Sequence, residues 1–213
     1  MLIFKRIMSG VASGILIGIG GTVYISSENK VVGAVFFSVA LLCICYKEFS
    51  LFTGKVGYLA HSRTRKELSV LFCSLFGNFI GALAARTAVY YSTNAEFYRK
   101  AVVIAESKLS QSADQTLLRA FLCGILMYMA VSIFKSNKTP IGILFCIPVF
   151  ILSGFEHSIA DMFYLTAGGK WDLEALTFIV LAIIGNSAGA IFIAMFDKTK
   201  EEKDKPKEAA NER

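Results

Sequence analysis

Glu156 and His157 are adjacent side chains capable of proton chemistry, and both lie inside the apolar stretch Ile141–Leu165. An imidazole with an unperturbed pKa of about 6.5 can protonate a permeating weak base or simply hydrogen bond to it, and the residues alone leave both roles open. Glu156, as the chain neighbour of His157, points elsewhere on a helix and reads first as a structural acceptor for backbone or hydroxyl donors. Lys55 and Asp161 also sit in long apolar runs. A charge at the middle of a membrane span costs about 2.5–3.5 kcal/mol on insertion scales, so such residues face a cavity or a partner. The only other histidine is His61, in a polar loop, and no His/Glu metal motif occurs. An intramembrane enzyme built on Glu156 and His157 would lack a nucleophile or metal set, so no catalytic residue, metal or cofactor is expected.

These residues need apolar elements to hold them. The chain has 213 residues, of which 55% are hydrophobic, and a mean hydropathy of +0.58, a composition that favours a bundle of membrane spans over a soluble domain. The formal net charge of +6 comes from lysines and arginines between the apolar runs and near the C-terminal end. It therefore reads as an orientation signal and not as a nucleic-acid footprint. The five cysteines, Cys43, Cys45, Cys73, Cys123 and Cys146, all fall inside apolar runs, where small buried side chains are expected and a disulfide framework is not. No cleavage site follows the first apolar run, which is kept as a span.

Stretches of about 20 apolar residues occur near Ile7–Tyr24, Val31–Leu59, Leu68–Tyr91, Thr116–Phe134, Ile141–Leu165 and Leu173–Phe196, giving six crossings. The second and fifth are too long for one simple helix and carry ionisable residues midway, the pattern of discontinuous helices. With the N-terminus inside, one side collects Lys5, Arg6, Arg63, Arg65, Lys66, Lys135 and Lys138, together with the lysines after Asp197, while the other holds Lys30, Arg99, Lys100, Lys108 and Lys170. The bias predicts that both termini are cytoplasmic. The expected division is a transmembrane domain over residues 1–196 and a charged tail over 197–213, too polar to fold by itself.

The spans repeat. Gly77-Asn78-Phe79-Ile80-Gly81-Ala82 in the third returns as Gly185-Asn186-Ser187-Ala188-Gly189-Ala190 in the sixth, and glycines four apart line one face for close helix packing. Phe49 to Leu59 aligns without gaps to Phe155 to Leu165, with Phe, Tyr and Leu coinciding. Each unit has three spans, an odd number, so the second copy must be inverted, with the broken helices meeting near the bilayer midplane.

Leu51-Phe52-Thr53-Gly54, Gly154-Phe155-Glu156-His157-Ser158-Ile159-Ala160 and the two Gly-Asn-x-x-Gly helices resemble the formate/nitrite transporter family, from about Met8 to Phe196. The resemblance implies an all-α, aquaporin-like membrane protein with six transmembrane helices as an inverted 3+3 repeat, assembled as a homopentamer with a pore in each protomer. It further implies a channel or proton-linked transporter in a bacterial plasma membrane for a small monovalent anion, formate first, then hydrosulfide and nitrite. His157 matches the central pore histidine of the family, and Leu51, Phe52 and Thr53 match the loop opposite it. Phe37 and Leu41 match apolar constriction positions on one side, and Phe150 resembles the constriction on the other. Val131 falls among the pore positions as well. Lys108, in Ala105-Glu106-Ser107-Lys108, is similar to a lysine that attracts anions at the outer vestibule.

The sequence also departs from that pattern. Tyr128 stands where a pore-facing asparagine is usual, Ser50 where an acidic residue precedes Leu-Phe-Thr-Gly, and Lys55 and Asp161 each replace an asparagine. Lys55 and Asp161 occupy equivalent positions in the two copies, which predicts a salt bridge pinning the broken helices together, the alternative being that each reaches water or backbone separately. Apolar rings such as Leu41 and Phe150 would exclude hydrated ions by dewetting. A non-conducting scaffold would have no need for paired broken helices.

Overall fold

The computed structural model describes residues 1–197, and the charged segment 198–213 lies outside the described residues. Among the described residues, four helices are long and apolar enough to cross a membrane: α1 (Leu2–Ser26), α3 (Arg65–Ser92), α5 (Ala113–Asn137) and α8 (Leu173–Ala194). At about 1.5 Å per residue each exceeds the hydrocarbon thickness of about 30 Å. Polar side chains fix where helices begin: Asn29 caps α2 (Lys30–Tyr46), Thr64 and Glu67 form a capping box on α3, Asn94 caps α4 (Ala95–Leu109), and Asp172 caps α8.

The second and fifth crossings are broken, as expected. The fifth consists of α6 (Ile141–Leu152) and α7 (Ser158–Ala167), separated by residues 153–157. The second is α2, then a loop, then only a five-residue 3-10 turn, Val56–Ala60. The breaks are made alike. Glu48 (φ 54°) and Gly154 (φ 67°), 106 residues apart, both take the left-handed conformation. The next amides close equivalent bonds, Phe49 N–H to the Ile44 carbonyl and Phe155 N–H to the Phe150 carbonyl, each at 3.0 Å. The copies diverge after the break. The first copy turns where the second continues as a helix, and in that turn Gly57 leaves room for the Tyr128 ring and the Ala190 carbonyl, which a side chain there would strike.

The helix α4 occupies what the hydropathy reading leaves as a connecting segment. It buries Phe97, Ala101 and Ala105 and packs on α7, with the Glu96–Lys100 ion pair (2.8 Å) at its more exposed end.

The inverted repeat holds at the level of single atoms. In the first copy α1 packs on α3, and in the second α5 packs on α8. A Cβ on Gly14 would collide with the Asn78 carbonyl, and one on Gly124 with the Asn186 carbonyl. Glycine is required at both places because backbone meets backbone there.

Candidate functional site

The two breaks face each other. Thr53 Oγ1 lies 2.8 Å from His157 Nε2, across 104 residues of sequence and fully buried. His157 is the N-cap of α7, its Nδ1 accepting the Ala160 N–H at 3.1 Å. Because Nδ1 accepts, the neutral ring carries its proton on Nε2 and donates it to the threonine oxygen. The threonine hydroxyl hydrogen is then free for another acceptor. The Phe150 ring stacks on the imidazole at 5.6 Å between centroids, and Phe37 meets Phe150 edge-on at 6.4 Å.

Asn78 and Asn186 hold the two loops in place. Asn78 Oδ1 accepts the Phe52 N–H, and its Nδ2 donates to the carbonyls of Ser50 and Gly10, all at 2.9 Å. Asn186 Oδ1 accepts the Ser158 N–H at 2.9 Å, and its Nδ2 donates to the carbonyls of Glu156 and Ala120 at 2.7 and 2.8 Å. Both asparagines are completely buried, and they satisfy loop backbone groups that have no helical partner. The sequence reading took these segments only as close-packing helices. The available signal was the cost of burying a primary amide in an apolar span, which requires several partners.

Two cavities flank this junction. One, of about 350 Å³, is lined by Leu41, Leu51, Val131 and Phe134 and by Glu48, Lys55, Lys135 and Lys138. The other, of about 300 Å³, is lined by Phe150, His157, Lys108, Glu156, Asp161 and Tyr24, among others. Tyr24 ends α1, whereas Lys135 and Lys138 end α5, which enters from the same side on which α1 finishes. The cavities therefore open toward opposite ends of the bundle.

Several expectations are corrected by this arrangement. Phe37 and Phe150 do not sit on opposite sides of the histidine: they meet, because residue 37 lies one helical turn before Leu41 and reaches the Phe150 side, while Leu41 lines the other cavity with Leu51 and Val131. Phe52 is buried and fixed through its backbone to Asn78. Tyr128 is absent from both linings. Its ring lies 5.4 Å from Tyr58, and its hydroxyl donates to Asp197 at 2.9 Å, as Ser132 does at 2.6 Å. Asp197, assigned by sequence to the tail, is thus tied to the bundle.

The expected Lys55–Asp161 salt bridge does not form. Lys55 Nζ donates to Ser50 Oγ at 2.8 Å within its own loop. Asp161 pairs with Lys108 at 2.8 Å, and Lys108 also grips the Glu156 carboxylate, which accepts from Gln111 Nε2 at 2.6 Å. The α4 helix, unseen in the hydropathy reading, brings Lys108 to Asp161, whereas Lys55 lines the other cavity. Lys108 is therefore enclosed by carboxylates, its side chain only 13% exposed, and is not a free charge in the vestibule.

A family model described as "Formate/nitrite transporter" matches residues 1–199. An uncharacterized transporter of Bacillus subtilis, YwcJ, is 30% identical over 183 residues, covering 74% of this chain and 71% of the relative. The formate channel FocA of Haemophilus influenzae is 24% identical, covering 78% of this chain and 66% of that protein. A solved structure described as a pentameric formate channel with formate bound superposes with a TM-score of 0.79 at 20% identity, over 92% of this chain and 96% of that one.

Proposed function

Because the chain belongs to the formate/nitrite transporter family, as the match over residues 1–199 shows, and is thus a multi-pass membrane protein that moves anions, we propose that it is a formate-conducting homopentamer of a bacterial plasma membrane. Each protomer has its own path, and both termini face the cytoplasm. Formate is favoured by the resemblance to FocA and to the formate-bound pentamer. The orientation is supported by Lys5, Arg6, Arg63, Arg65 and Lys66 collecting at one end of the bundle.

The observation that carries this reading is the Thr53–His157 hydrogen bond standing between two cavities. An anion passing Leu41, Leu51 and Val131 on one side or Phe37 and Phe150 on the other sheds its water against apolar walls, which hydrated cations cannot do. At the centre it meets the hydroxyl hydrogen of Thr53, which the imidazole leaves free by donating its own Nε2 hydrogen to the threonine oxygen, a donor that replaces lost hydration without a fixed cation that would trap the anion. The half-helix α7 begins at the same point, its partial positive end directed to the junction.

Reconstitution of the purified protein in proteoliposomes, with flux measured for formate, nitrite and hydrosulfide singly and in competition, tests the substrate. Formate should pass fastest and inhibit the others, and an absence of flux for all three would overturn the proposal. Native mass spectrometry should give five subunits per particle.

A further inference from the structure

The two cavities differ in how their charges are committed. In the cavity that holds His157, Lys108 and Arg119 stand against Glu156 and Asp161, and Lys108 is spent on both carboxylates. The cavity at the end of the bundle where α5 finishes is lined by the ammonium groups of Lys55, Lys135 and Lys138 and by one carboxylate, that of Glu48. Lys55 is the cation of this set that the pore loop itself positions. It follows Gly54 in the loop that carries Leu51 and Thr53, it is half-buried, and its N–H donates to the Phe52 carbonyl at 2.9 Å. Its Nζ donates to Ser50 Oγ at 2.8 Å, a neutral oxygen, and it forms no ion pair among the described residues. An ammonium has three hydrogens, and Ser50 takes one of them.

We propose that the Lys55 ammonium is an anion-binding site in the cavity on the cytoplasmic side, where a small carboxylate is held two residues along the loop from Thr53, so that the protein takes up its anion with higher affinity from the inner face than from the outer. This deepens the anion-conducting reading and rests on it. The ligand's oxygens accept the ammonium hydrogens that Ser50 leaves, and Leu41, Leu51 and Val131 supply the apolar wall beside it. The contact is partly open to water and is backed by a hydroxyl, not by a second cation, so the anion is held loosely enough to move on. The opposite cavity has no equivalent, because its lysine is already paired and Arg119 shares the space with two carboxylates.

The neighbouring charges do not take over this role. Lys135 lies over the Tyr58 ring at 4.0 Å from its centre, and Lys138 is exposed beside the Phe134 ring, where both add to the positive bias of that end. Two further carboxylates stand nearby and do not line this cavity. Glu67, in an adjoining cavity that Lys55 and Lys135 also line, accepts from Ser62 at 2.6 Å and from Thr64 at 3.0 Å. Asp197 accepts from Tyr128 and Ser132. Lys55 is thus the cation that joins the loop bearing Thr53 to the inner cavity.

The test is sided. Right-side-out and inverted membrane vesicles carrying the protein are given formate on their outer surface, and the initial rate of uptake is followed against formate concentration. The wild-type protein should half-saturate at lower formate in inverted vesicles, where the inner cavity faces the supply. Lys55→Asn should raise that value by about three- to tenfold, between the effects of losing an exposed and a buried charge contact, and should move the value in right-side-out vesicles less. Lys55→Arg keeps the charge and should restore the difference. Melting of the purified protein gives a reading that does not need flux: sodium formate should protect the wild type and Lys55→Arg more than sodium gluconate at equal ionic strength, and this protection should shrink in Lys55→Asn. Equal half-saturation at the two faces, or formate protection unchanged in Lys55→Asn, would overturn the inference while leaving conduction intact. Formate protection that depends on Lys55 without flux in either kind of vesicle would leave the binding site and count against the conduction reading instead.

Discussion

Asn78 and Asn186 make the same three hydrogen bonds in the two inverted halves of the protein, each taking one loop amide and holding one loop carbonyl and one carbonyl of the neighbouring long helix. Asn→Ala at either site leaves these backbone groups enclosed without partners, at about 1–3 kcal/mol for each orphaned group. We expect both variants to lower the melting temperature of the purified protein and to abolish flux. The Asn→Asp variants keep the accepting oxygen and should fall between. Wild-type melting of both alanine variants would show that water replaces the amides.

The bond from His157 to Thr53 predicts two different phenotypes. His157→Asn retains a good N-cap for α7, so the protein should fold normally, but its shorter side chain no longer reaches Thr53. Flux and its pH profile should change while melting does not. Thr53→Val removes the hydroxyl and strands the imidazole N–H, which should reduce flux at every pH and lower stability by about 1–3 kcal/mol. An unaltered pH profile in His157→Asn would remove the histidine from proton handling.

Constriction is a matter of side-chain volume. Phe150→Ala removes the ring that stacks on His157 and meets Phe37, and Leu41→Ala opens the other cavity. Each should speed the passage of anions larger than formate, measured as flux ratios in liposomes, and Phe150→Ala should also cost about 3–5 kcal/mol of stability. Wild-type selectivity in both variants would reduce these residues to packing.

Lys108 reads as a structural counter-charge. Lys108→Met leaves two carboxyls without their cation, and breaking a buried pair in this way costs about 3–5 kcal/mol. Adding Glu156→Gln to that variant should recover part of the loss. Thermal melting of the single and double variants gives the comparison, and equal melting of Lys108→Met and wild type would mean that the lysine is dispensable.

Lys55 and Asp161 have separate partners, Ser50 and Lys108. Their substitutions by asparagine should therefore add in a double-mutant cycle to within about 0.5 kcal/mol. A coupling well above that would reinstate a link between them.

Hydropathy, charge bias and the two repeated motifs were sufficient for six crossings, two of them broken, in an inverted arrangement, since these depend on local composition and on the parity of three spans. The placement of His157 at the junction was legible for the same reason, because the string around it is local and its burial in a span is costly. Pairing was not legible. The alignment put Lys55 and Asp161 at equivalent positions, but equivalence under a pseudo-twofold does not give distance, and the nearer cation came from α4, an amphipathic helix without a span's hydropathy signal. The turn at Val56–Ala60, where the second copy has a helix, was likewise not legible, nor was the close approach of the Tyr128 ring and the Ala190 carbonyl that leaves room only for glycine at position 57. Sequence determines which side chains must be buried, through transfer free energies that each residue carries with it. Only the packed structure decides which partner meets a buried charge, because that depends on the approach of helices distant along the chain.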